Sequence, residues 1–228
     1  LEKLALLFGT GSIRASGKLS PQTVSAKADF SGLPLSVYSD FGGPDIKGSA
    51  AGKLNLEGKS SNPSGTFQVH LQDVKFEQEQ YKYVPPADMI LDGKLERDRL
   101  QADFELRGIT QKPTRMKIGL PVTFSLEPFA FSIPENGKLQ GNILADAKLD
   151  TLMALMPQEA QTATGEFTAD IDLQGTVANP RVFGSASIRS ASYTNFDTGT
   201  VLQDLNMLLK ADGRRAVIEK FSATDADK

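Results

Sequence analysis

Apolar and polar residues alternate along almost the whole chain with a period of two, the spacing of a strand with one face against apolar surroundings and the other in water. The longest run is Met116 to Leu126: Met116, Ile118, Leu120, Val122, Phe124 and Leu126 fall on one side, Lys117, Gly119, Pro121, Thr123 and Ser125 on the other. The same alternation passes through Val24 to Phe30, Leu54 and Leu56, Phe67/Val69/Leu71, Leu100 to Leu106 with Phe104, Phe129/Phe131/Ile133, Ile143 to Leu149, and Phe167/Ala169/Ile171/Leu173. After Leu71 the phase slips before Val74 and Phe76, which predicts a bulge near Asp73. Turn residues recur at Asn62-Pro63, Asp92-Gly93, Asn136-Gly137, Asn179-Pro180 and Asp212-Gly213. Clean alternation of this kind belongs to antiparallel sheet with one solvated face. The chain is expected to be all-β.

Helical spacing is confined to short stretches. Asp150 to Pro157 offers an Asp N-cap, apolar residues at Leu152, Leu155 and Met156, and a proline stop. Leu1 to Phe8 has helical spacing too, with Gly9 as a C-cap. An internal repeat underlies the pattern: Leu54-x-Leu56-x-Gly58 … Asn62-Pro63 recurs as Ile171-x-Leu173-x-Gly175 … Asn179-Pro180, and Gly17-Lys18-Leu19 as Gly137-Lys138-Leu139. The repeating unit reads as strand, short apolar helix, strand, turn. Residues 1–228 are therefore expected to form one continuous, elongated β structure, with approximate units 1–135 and 136–228. The pattern is already under way at Leu1 and stops without a closing signal at Lys228, as in a piece of a longer protein.

Composition narrows the chemistry. There is no cysteine and a single histidine, His70, which shares the polar face of its strand with Gln68 and Gln72. Lys+Arg 25 against Asp+Glu 28 gives a net charge of −3 with both signs interspersed, unlike a nucleic-acid binder. No apolar run has the length of a transmembrane helix. Zero Trp and four Tyr do not supply the aromatic girdles of a membrane barrel. The pairs Asp170/Asp172 and Glu77/Glu79 each lie on one strand face, but no calcium-loop pattern accompanies them. Arg214-Arg215 reads as a charged hairpin tip. No metal, cofactor or catalysis is expected; a sheet whose apolar face shields acyl chains is one reading of the alternation, and an ordinary closed sandwich core, which would show the same pattern, is the other.

The ordered series Gly137-Lys-Leu-Gln-Gly141 … Leu149-Asp-Thr-Leu152-Met-Ala-Leu155-Met-Pro157 … Gly165 … Ile171-Asp-Leu173-Gln-Gly175 … Asn179-Pro180 … Gly184 … Leu202-Gln-Asp-Leu205 … Asp212-Gly213, preceded by a copy from Gly17 to Gly65, resembles the TamB branch of the AsmA-like family. The resemblance implies a β-taco, a half-open trough with an apolar interior, in a periplasmic fragment of a protein anchored in the inner membrane of a diderm bacterium. It implies phospholipids as cargo and an outer-membrane barrel of the Omp85 type as partner, with membrane contact made by other parts of the parent chain. The candidate lining is Val24, Phe30, Leu54, Leu56, Phe67, Val69, Leu71, Phe104, Leu106, Met116, Ile118, Leu120, Val122, Phe124, Leu126, Phe129, Phe131, Ile133, Ile143, Leu149, Phe167, Ile171, Leu173 and Ile188. A stalk or adhesin-like interaction domain with a closed core is the alternative, and it would bind no lipid.

Overall fold

The computed structural model describes residues 3–41, 43–154 and 160–225. In chain order the strands are β1 (Leu4–Phe8), β2 (Gly11–Leu19), β3 (Thr23–Pro34), β4 (Ile46–Lys59), β5 (Asn62–Phe76), β6 (Ala87–Glu96), β7 (Arg99–Arg107), β8 (Thr114–Pro121), β9 (Thr123–Leu126) and β10 (Phe129–Ser132). They continue with β11 (Gln140–Lys148), β12 (Gln161–Gly175), β13 (Pro180–Asn195), β14 (Thr200–Gly213) and β15 (Arg215–Asp225). Thirteen of them form one antiparallel meander, each paired with its neighbours in sequence, and only the β9–β10 hairpin stands outside it. The sheet curls without closing into a barrel, and among the described residues β1 and β15 are its outermost strands. At about 4.8 Å per strand it runs roughly 58 Å along the hydrogen-bonding direction. Among the described residues no helix is long and apolar enough to cross a membrane.

Three short helices sit in connections on the same side of the sheet. A 3-10 helix, Leu35–Phe41, joins β3 to β4, another, Glu79–Tyr81, joins β5 to β6, and α1 (Leu149–Ala154) joins β11 to β12. The expected helix at Asp150 is thus present, although its proline end lies outside the described residues. The other expected helix is a strand. Leu4–Phe8 pairs with β2 from Leu4↔Ala15 to Phe8↔Gly11, and Gly9 (φ +58°) serves a tight turn rather than a helix C-cap. Eight residues of helical spacing without an N-cap do not hold an isolated helix, whereas the β2 edge satisfies the same backbone groups.

The slip in phase after Leu71 is a β-bulge. Register shifts between Leu71 and Val74, and Asp73 has φ +51° with its N–H donating to Asp88 Oδ1 at 2.9 Å. Across β4 a second shift surrounds Gly48, whose φ of +124° excludes ordinary side chains and whose Cβ position lies 2.6 Å from the Gln72 carbonyl oxygen. The two irregularities together bend the β4–β5–β6 ribbon.

Among the described residues no second sheet or long helix is layered on either face. The buried hydrophobic side chains among those described are Val24, Val74, Val84, Ala87, Val122, Leu139, Ala147 and Ala191, most of them at or near bulges, strand ends and connections. The surface area confirms the open shape. A compact protein of 24.6 kDa exposes about 10,100 Å², whereas this chain exposes 14537 Å².

Candidate functional site

The register places one residue from each of the thirteen strands in a single row: Leu6, Ile13, Phe30, Gly52, Val69, Leu91, Phe104, Met116, Ile143, Ile171, Gly184, Ala211 and Ala216. Every member lacks charge and lacks a side-chain hydrogen-bonding group. A parallel row on the same face runs through Leu4, Ala15, Ala28, Leu54, Phe67, Gly93, Ala102, Ile118, Gly141, Leu173, Val182 and Gly213, again without a polar side chain. The row between them points the other way and is Ala5, Arg14, Asp29, Lys53, Gln68, Asp92, Asp103, Lys117, Asn142, Asp172, Phe183, Asp212 and Arg215. One face is apolar for the length of the sheet and the other carries its charges.

The apolar face lies inside the curl. Phe30, Val69, Leu91, Phe104 and Met116 are half-buried although no layer covers them, while Asp29, Lys53, Gln68 and Lys117 opposite are exposed. Side chains on an inward-bent surface crowd one another, and those on its outside splay apart. Where an aromatic ring faces a glycine across the strands it lies over it: a Cβ on Gly93 would meet the Phe67 ring at 2.0 Å, and one on Gly52 the Phe30 ring at 2.5 Å. The rings shield bare backbone, as in aromatic rescue of strand glycines.

Most of the expected lining falls on this face. Phe30, Val69, Phe104, Met116, Ile143 and Ile171 share the first row, and Leu54, Phe67, Ile118 and Leu173 the second. Leu56 and Leu120 lie one pair further towards one set of turns, and Val24 at its margin is buried. On the other side Leu71 pairs with Ala50, Leu106 with Met89, and Phe167 with Ile188. Leu149 starts α1 and belongs to the connection instead. Leu100, already part of the alternation through β7, joins the face, and so do Leu6, Ile13, Leu91, Leu95, Met207, Leu209, Ile218 and Phe221, which the alternation had not singled out. In β6 the run Met89-Ile90-Leu91 hides the period, and in β15 a register shift separates Ile218 from Phe221. Pairing decides both.

The run from Met116 to Leu126 is not one strand. β8 ends at Pro121, which has no N–H to give, and the Val122 N–H donates to the Asp98 carbonyl at 2.9 Å. Val122 is buried at this corner, and β9 then crosses the turns instead of lengthening β8. The Leu126 N–H reaches the Ser60 carbonyl at 2.8 Å, and Ser125 Oγ–H donates to the same oxygen at 3.4 Å, so Ser125 is buried rather than in water. Ser60 in turn donates from its N–H to Gln22 (3.1 Å) and from Oγ–H to Ser20 (2.7 Å), tying three connections together. Phe124, Leu126, Phe129 and Phe131 share one face of this hairpin through Phe129↔Leu126 and Phe131↔Phe124. Phe129 is 76% exposed, Phe131 58% and Ile133 42%; these three lie off the thirteen-stranded sheet, outside its rows.

The charged face carries ion pairs at the surface. Glu105 accepts from Arg107 Nε at 2.5 Å and from Arg115 Nε at 3.1 Å, and these hydrogen bonds hold its carboxyl below the usual carboxylate range. Lys112 donates to Asp146 at 2.7 Å, which raises its pKa. Asn142 Nδ2 lies between Asp170 (3.4 Å) and Asp172 (3.1 Å), so the acidic pair is bridged by a donor from β11. Among the described residues no three His, Asp or Glu side chains gather as a metal site would require. His70 stands in register between Ala51 and Ile90 on this face. A groove of about 490 Å³ between Lys53, Gln68, Asp92 and Asp103 is open and of mixed charge.

Compared with family models, curated proteins and solved structures, the chain matches none.

Proposed function

We propose that the chain is a non-enzymatic carrier surface for lipid, with the acyl chains of phospholipids lying along the uncharged face and the headgroups left towards water. The observation that carries this reading is the uninterrupted apolar row from Leu6 to Ala216, uncharged through thirteen strands and, among the described residues, covered by no second sheet. Apolar area of that extent in water is unfavourable by about 25 cal/mol per Å². Acyl chains remove it from water without demanding a shaped pocket. The resemblance to the AsmA-like family extends the reading to a periplasmic conduit between the two membranes of a diderm bacterium, working with an Omp85-type barrel. Native mass spectrometry of the purified chain tests the first part: adducts with phospholipid masses, extractable into organic solvent, are expected. A chain that carries none, and gains none when incubated with phospholipid vesicles, is instead the stalk domain of the alternative.

A further inference from the structure

The meander does not need residues 122–139. β8 and β11 pair directly, with Gly119 opposite Gln140, and a two-residue turn is all that this pairing requires. Arg99 of β7 pins the joint: it reaches across Gly119 to donate from Nη2 to Gln140 Oε1 (2.9 Å) and from Nη1 to the Lys138 carbonyl (3.1 Å). The chain instead makes a detour along the side of the sheet that carries the short turns. Outward, the Val122 N–H meets the β6–β7 turn at Asp98, and the Leu126 N–H meets the β4–β5 turn at Ser60, which itself holds the β2–β3 turn through Ser20 and Gln22. On the return, the β12–β13 turn donates from the Ala178 N–H to the Glu135 carbonyl (2.9 Å) and from the Val177 N–H to the Gly137 carbonyl (3.2 Å). The Leu139 N–H donates to Gly175 at 3.0 Å. The largest fully buried side chains among those described, Val122, Pro63 and Ser60, lie where this detour meets the turns.

An open sheet of thirteen strands with no second sheet upon it has no fixed curl of its own, because the twist between neighbouring strands varies widely. A segment bonded to turns from β2–β3 to β12–β13 removes that freedom on one side. On the other side the described connections are joined to one another two at a time, Glu77 N–H to Asp45 (3.0 Å) and Phe196 N–H to Ala160 (2.8 Å). We propose that residues 122–139 are a strap that locks the short-turn side of the sheet, so that the curled face widens and narrows from the side of the long connections. The inference goes beyond the lipid reading and stands whether or not that face carries lipid.

The chain has no cysteine, so introduced pairs can be spin-labelled without interference. Ser61→Cys with Ala178→Cys spans the strapped side, and Tyr83→Cys with Asp197→Cys spans the other; all four positions are exposed. Pulsed electron–electron distance measurements on the 228-residue chain should give a narrower distribution for the first pair than for the second. Replacing residues 121–138 by Asn-Gly should broaden the first distribution about twofold or more and leave the second unchanged. Leu126→Pro, which removes the N–H bonded to the Ser60 carbonyl, should broaden the first pair alone by a smaller amount, and it decides the matter where the shortened chain does not fold. A first distribution no narrower than the second in the intact chain, or one that neither change broadens, overturns the proposal. Broadening of both pairs alike by Leu126→Pro overturns it too, since the sheet is then loosening as a whole.

Discussion

The stretch from β3 to β5 and the stretch from β11 to β13 are the same piece of backbone built twice, 117 residues apart. Gly48 and Gly165 both have φ +124° and both sit at a register shift. Asp73 (φ +51°) and Ser190 (φ +46°) both break the next ladder, and each donates its N–H to a side-chain oxygen on the following strand, Asp88 at 2.9 Å and Asn206 at 3.1 Å. Gly58↔Pro63 and Gly175↔Pro180 close the two equivalent turns. The inward side chains do not repeat in this way. Ala50 stands where Phe167 does, Gly52 where Ala169 does, and Phe67 where Gly184 does. Size is exchanged freely between the two copies, while charge never enters. A close-packed core would tie each size to its neighbours. A surface that only has to exclude water and accept mobile chains would not, and this is the independent support for the carrier reading.

The largest expected effect bears on the shared backbone. Gly48→Ala and Gly165→Ala each force a Cβ to within 2.6 Å of neighbouring atoms at a φ that excludes it. Strain and overpacking should together cost about 2–5 kcal/mol in each case. If the two bulges are one device, denaturation midpoints of the two variants will fall by similar amounts. Gly9→Ala, at φ +58° with nothing within 4 Å, should cost only about 1 kcal/mol. A full-sized loss at Gly9, or a loss at Gly48 alone, breaks the comparison.

Substitutions on the apolar face should cost less. Leu120→Arg is expected to leave the chain folded, at a loss of no more than about 1.5 kcal/mol, because a half-buried arginine can bend its charged end outward. Lipid recovered with the protein should drop, whereas Lys117→Glu should alter neither quantity. Outright unfolding by Leu120→Arg would indicate a dry, closed interior. Ser60→Ala removes the hydroxyl bonded to the Ser20 carbonyl and should cost about 1 kcal/mol, leaving lipid content unchanged. The smallest effect concerns pH. Glu105 has its pKa lowered from 4.5 by Arg107 and Arg115, so its contribution is present above that value and lost as pH falls through the lower folded value. Glu105→Gln should therefore flatten melting temperature against pH slightly below about pH 4.5 and leave neutral stability nearly unchanged, as for any exposed pair.

The fold class and the two faces were legible because side-chain alternation has one physical meaning, a strand half out of water. The bulge at Asp73 was legible as a slipped phase. Alternation could not say which sheet a strand joins. Thr123 to Ser132 carries the same signal as β8, yet Pro121 removes a donor and the Asp98 and Ser60 carbonyls draw the chain across the turns. Leu4 to Phe8 failed for the converse reason: its spacing is helical, and pairing with β2 overrides it. The glycines and alanines of the apolar rows, such as Gly52, Gly93 and Ala211, escaped notice because small residues give no hydropathy signal. Only their register shows that they keep the rows free of charge.

The central claim is that one face of this sheet carries lipid and the other does not. Photo-crosslinking side chains placed singly at Ile118 and Leu120, and at Lys117 and Lys53 as the opposed set, address it in the presence of phospholipid vesicles. All four chains should fold, and lipid should be captured from Ile118 and Leu120 at least tenfold more than from Lys117 and Lys53. Equal capture from both faces, or none from either, would contradict the account.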